Sequence, residues 1–118
     1  MFSADFYVRI ARDRIDVRNV ATGQDRGGAP ARPFTSTRLL VGDFVVAQEL
    51  LRCLVDEVAG SRLRFNRRFV MHAIEMIDGG LSPVEERVLL ELAAGAGAKR
   101  AVAWTGRTLS DDEVRQKV

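Results

Sequence analysis

The sequence predicts one α/β domain spanning residues 1–118, built on a mixed five-stranded sheet with flanking helices. Three observations predict it: a period-two hairpin opens the chain, helix-period segments with start signals follow, and short apolar runs alternate with them. In residues 5–20, Phe6, Val8 and Ile10 alternate with Tyr7 and Arg9. The polar stretch Ala11-Arg12-Asp13-Arg14 turns the chain, and Ile15 and Val17 alternate with Asp16 and Arg18 on the way back. Residues 21–33 hold three glycines and two prolines and predict a mobile or disordered surface loop. Residues 34–41 predict a third, short strand.

The first helix is expected over residues 43–59. Asp43 is placed to cap it, and Ala47, Leu50, Leu51, Leu54 and Val58 recur at spacings of three and four. A mostly apolar run at 69–77 predicts a central strand. Ser82-Pro83-Val84-Glu85 sets Ser at N-cap, Pro at N1 and Glu at N3 of a second helix, with Val84, Val88, Leu89 and Leu92 as its buried face. Residues 101–104 predict a last strand, and Ser110-Asp111-Asp112-Glu113 opens a short last helix. The order β-β-β-α-β-α-β-α is the plan of actin-like and ribonuclease-H-like half-domains, with right-handed crossovers over the parallel part.

Composition narrows the function classes. The chain has 118 residues, 47% of them apolar, enough for one core. Its 18 basic and 16 acidic residues leave a formal charge of +2, so the pI near 9.2 gives little support to a general polyanion binder. A single cysteine, Cys53, excludes a disulfide scaffold and reads as a small core residue. No apolar run approaches the roughly 18 residues of a membrane-spanning helix. The expected location is cytoplasmic, with a peripheral position at the inner face of the cell membrane open to it.

Gly80-Leu81-Ser82-Pro83-Val84-Glu85-Glu86-Arg87, continuing through Glu91 to Ala93-Ala94-Gly95-Ala96-Gly97-Ala98-Lys99, resembles the rod-shape-determining bacterial actins of the MreB type. The similarity runs without a gap over residues 80–104. Arg32-Pro33, Asp43-Phe44-Val45-Val46 and Tyr7-Val8-Arg9 also fit. The resemblance covers most of the chain but only the first subdomain of that family. It implies an actin-like half-domain in a cytoskeletal or cell-shape setting. Two departures from the family bear on catalysis. Members open with a phosphate-wrapping Asp-x-Gly-Thr loop, whereas Ser3-Ala4-Asp5-Phe6 has no glycine to let backbone N–H groups approach an anion. After the last strand they carry Glu-Glu-Pro, whose glutamate positions the attacking water, and here Thr105-Gly106-Arg107 stands instead. The expectation is a non-enzymatic domain that needs no cofactor and does not hydrolyse ATP. Its expected partner is a protein, either a bacterial actin or another cytoskeletal protein, and a homodimer is a further option.

Other constellations are weaker. Asp5, Glu49 or Glu57, and Glu75 could imitate the metal-binding carboxylates of a ribonuclease-H-type nucleic-acid enzyme. His72 is expected to be a hydrogen-bonded strand histidine rather than a metal ligand, because it is the only histidine. Asp78-Gly79-Gly80 reads as a turn, and Trp104 as core. The segment Arg62, Leu63, Arg64, Phe65, Asn66, Arg67 and Arg68 sets four arginines around two apolar side chains. That chemistry fits a partner or a weak anionic membrane surface, at about 1 kcal/mol per cationic residue.

Overall fold

The computed structural model describes residues 4–59 and 66–118. Its elements are β1 (Ala4–Ala11), β2 (Arg14–Asn19), β3 (Gln24–Gly28), α1 (Phe44–Ala59), β4 (Arg67–Ala73), α2 (Pro83–Gly95), β5 (Ala98–Trp104) and α3 (Asp111–Lys117). The five strands form one mixed sheet in the order β3-β2-β1-β4-β5. β1, β2 and β3 are antiparallel neighbours, and β4 and β5 run parallel to β1. The mixed five-stranded actin-like and ribonuclease-H-like plan is therefore the observed one.

The third strand lies elsewhere than predicted. It forms at Gln24–Gly28, inside the expected loop, while residues 34–41 are irregular. β3 is an edge strand with no apolar face, so alternation cannot reveal it. It is held by the β2 ladder and by the cross-strand ion pair of Arg18 with Asp25 at 2.7 Å. The segment after it is pinned rather than paired. Asp13 accepts the backbone N–H groups of Phe34 (2.9 Å) and Thr35 (2.8 Å), Thr35 Oγ1 donates to the Leu40 carbonyl at 2.7 Å, and Phe34 is buried.

α1 and α2 cover one face of the sheet. Phe6, Val8, Ile10, Ile15, Val17, Phe69 and Met71 point to that side and pack against Ala47, Leu51, Leu54, Val55, Leu89 and Leu92. The other face is smaller and is covered by α3, with Tyr7, Val20, Val70, Leu109 and Val114 buried and Val102 and Trp104 half-buried against them. Both predicted capping boxes are present. Ser82 and Glu85 exchange side-chain-to-backbone bonds at the start of α2, as do Ser110 and Glu113 at α3. Asp43 accepts from Val46 N at 3.2 Å at the start of α1. Cys53 departs from its predicted core position: it lies on the solvent side of α1, off the stripe that faces the sheet.

Candidate functional site

The sheet ends divide the chemistry. At the amino end of β1, the buried carboxylate of Asp5 receives two hydrogen bonds from Arg68, 2.7 Å to Oδ1 and 2.8 Å to Oδ2. Arg67 is also buried, donates to the Ala96 carbonyl at 3.0 Å and lies 5.9 Å over the ring of Phe6. Arg67 and Arg68 are thus tied into the fold, and Arg68 keeps about a third of its side chain exposed. The other predicted contacts in this segment, Arg62, Leu63, Arg64 and Phe65, lie outside the described residues.

The four carboxylates of the nuclease reading are not brought together. Glu75 follows the carboxyl end of β4, at the opposite end of the sheet from Asp5, and pairs with Arg12. Glu57 faces Arg26, and Glu49 is exposed on α1. Among the described residues, no group of three or more His, Cys, Asp or Glu side chains is placed to hold a metal ion.

His72 is a hydrogen-bonded strand histidine. Nε2 lies 3.0 Å from the Gly106 carbonyl, so it carries the proton, and Nδ1 accepts from the Tyr7 hydroxyl at 2.6 Å. The same hydroxyl accepts from Leu109 N at 3.2 Å. Burial pushes the His72 pKa below its ordinary value of 6.5, and the nearby Arg9 charge adds to that.

Thr105-Gly106-Arg107, where the resembling family carries Glu-Glu-Pro, is structural in this chain. The Gly106 carbonyl meets His72. The Arg107 carbonyl accepts from Trp104 Nε1 at 2.9 Å, and the Arg107 guanidinium clamps Glu113. That clamp and the Ser110 N–H hold the Glu113 carboxyl down at about 2. Trp104 is half-buried, with Lys117 Nζ 3.8 Å over its ring. Gly79 and Gly80 both adopt positive φ, 78° and 85°, and Gly80 N closes on the Ile77 carbonyl at 2.7 Å, so Asp78-Gly79-Gly80 is a turn.

Clefts with charged walls are open beside Arg52, Asp56 and Arg67 and beside Arg68 and Lys99, and one groove is apolar. That groove lies at the carboxyl end of β4, where α1 and α2 both begin. Leu39, Leu40 and Val41 form one wall, Leu81, Val84, Val88 and Leu89 the other, and Ala73 the floor. It continues past Val84 and Val88 to Phe44, Arg87 and Glu91. Val84 is 73% exposed, Leu39 45% and Phe44 38%. Val84 was expected on the buried face of α2. It shares that face's period but lies in the first turn of the helix, where it is left to solvent. Leu39 and Phe44 were not singled out by the sequence. Their only local signal is an apolar cluster, Leu39-Leu40-Val41, beside a helix start. The hydrogen bonds that fix residues 34–43 hold this groove preformed: Ser36 N and Oγ face the Leu39 backbone, and Gly42 N and Asp43 N both donate to the Phe34 carbonyl at 2.8 Å.

No family model matches the chain. A curated relative decides the family: the uncharacterized protein YjaA of Escherichia coli (strain K12) is 40% identical over 96 residues, which cover 76% of this chain and 74% of YjaA. The chain belongs to the YjaA family. The solved structure of the ethanolamine utilization protein EutJ from Carboxydothermus hydrogenoformans superposes with a TM-score of 0.53 at 18% identity. The match covers 87% of the YjaA-family chain and 37% of EutJ, so the chain spans little over a third of that protein. EutJ has an actin-like fold, and the YjaA-family chain shares the fold of an actin-like half-domain. Among the described residues no helix is long and apolar enough to cross a membrane.

Proposed function

We infer that this chain is a non-catalytic actin-like domain that binds a protein partner, in a cytoskeletal or cell-shape setting and without ATP hydrolysis. The observation that carries the reading is the preformed apolar groove at the carboxyl end of β4, with Val84 and Leu39 left to solvent. Open α/β sheets place their binding sites at this end of the strands, and an apolar patch rimmed by charge marks an interaction surface. The rim here is Glu85, Arg87 and Glu91. The cell-shape setting rests on the resemblance of residues 80–104 to the rod-shape-determining actins, and the partner class that follows is a bacterial actin. The absence of catalysis rests on Thr105-Gly106-Arg107, whose groups are engaged in holding α3.

Co-sedimentation with filaments of a rod-shape-determining actin tests the reading. The chain is expected in the pellet, and Val84→Glu in the supernatant, since losing one buried valine weakens binding by roughly tenfold or more. A wild-type chain that stays in the supernatant, or a variant that pellets equally, contradicts it.

A further inference from the structure

The two edges of the sheet are built differently. β3 is short, exposed and polar, with Asp25, Arg26 and two glycines, as edges that resist further pairing usually are. β5 is seven residues long and carries Ala101-Val102-Ala103-Trp104 on its outer half, all of them partly exposed. β5 pairs only with β4, and among the described residues no backbone hydrogen bond reaches it from its outer side. Every second residue of such a strand directs its N–H and C=O away from the sheet, a template for another strand.

We propose that the outer edge of β5 pairs antiparallel with β5 of a second copy of this chain, joining the two sheets across a twofold axis centred on Val102. The side chains argue for this occupant. Val102 and Trp104 pack on the α3 side of the sheet, and Ala101 and Ala103 on the α2 side. A twofold at Val102 sets Arg100 opposite Trp104 on the α3 side, a cation beside an indole of which Lys117 already covers one face. On the other side it sets Ala101 opposite Ala103, small enough for close approach. Lys99 meets Thr105, so no two like charges stand directly opposite along the paired strands. The surface is distinct from the groove at the carboxyl end of β4.

The test uses the full chain carrying Cys53→Ser, which removes the exposed thiol, with and without Val102→Cys. Directly opposed antiparallel residues have Cα atoms about 4.5–5.5 Å apart, within the roughly 4.4–6.8 Å that a disulfide spans. Sedimentation equilibrium over a micromolar series is expected to give twice the 13.1 kDa chain mass. Mild oxidation is expected to cross-link the Val102→Cys chain into a reducible dimer. Ala103→Lys, with its folded circular-dichroism spectrum checked, is expected to sediment as a monomer. A wild-type monomer throughout the series overturns the proposal. So does a dimer that Val102→Cys does not trap.

Discussion

Tyr7 and His72 stand 65 residues apart in the chain, yet their side chains meet at 2.6 Å between the hydroxyl and Nδ1. Through Leu109 N on one side and the Gly106 carbonyl on the other, this pair ties the loop before α3 to the two central strands. Removing the hydroxyl alone leaves two buried partners unpaired. Tyr7→Phe is expected to cost about 1–3 kcal/mol, read as a lower urea midpoint with an unchanged denaturant slope. An unchanged midpoint would show that the network adds nothing to stability.

The same pair sets a pH dependence. The folded state lowers the His72 pKa below 6.5, so it favours the neutral ring. The unfolded chain binds the proton more readily. The contribution is therefore complete above the ordinary histidine pKa and is lost as pH falls through 6.5 toward the lower folded value. The carboxylates of Asp111 and Glu113 are also held low, by Arg18 and Arg107, but their contribution fades only in the acid range below the ordinary carboxylate values. Urea midpoints measured from neutral pH down to pH ~5 should fall for the wild type. They should fall much less for His72→Gln.

Gly106 sits at φ 143°, and a Cβ there would lie 2.8 Å from the Trp104 ring. Gly106→Ala is expected to cost about 1–3 kcal/mol and to shift the tryptophan emission as the ring moves. Unaltered emission together with an unaltered midpoint would mean the loop accommodates the methyl freely.

Asp5→Asn leaves the Arg68 guanidinium half-buried without its countercharge. Loss of a partner in a fully buried pair costs about 3–5 kcal/mol. Arg68 keeps about a third of its side chain exposed, so the expected loss is smaller, about 1–3 kcal/mol. Chemical denaturation checks it, and a neutral result would mean solvent replaces the carboxylate.

Groove and core should separate cleanly. Val84→Ser, at the exposed start of α2, is expected to change stability by no more than about 0.5 kcal/mol. Leu92→Ala, on the buried face of the same helix, should cost about 2–5 kcal/mol. A costly Val84→Ser would show that this side chain is needed for folding and is not spare surface.

These residues also mark what the sequence makes legible. Helix starts are local: Ser82 with Glu85 and Ser110 with Glu113 announce themselves within four residues, and both capping boxes form. β1 and β2 follow from alternation, and β4 and β5 from short apolar runs, though β4 ends at Ala73 and not at residue 77, and β5 begins at Ala98. β3 does not, because Asp25 pairs with Arg18 and Gly27 lies against the Asp16 carboxylate, contacts that only the folded sheet creates. Cys53 and Val84 show the limit of helical periodicity, which says which face a residue shares but not how far the partner surface extends. The groove combines an irregular segment with two helix starts, and the Tyr7–His72 pair joins distant strands. Neither leaves a contiguous pattern to read.

The most direct measurement is a methyl NMR titration of the full chain with a rod-shape-determining actin. Shifts and broadening are expected to concentrate on Leu39, Val84 and Val88 at the groove and to spare Leu109 and Val114 on the α3 face of the sheet. Perturbations confined to the α3 face, or none at saturating actin, would contradict a partner site at the carboxyl end of β4.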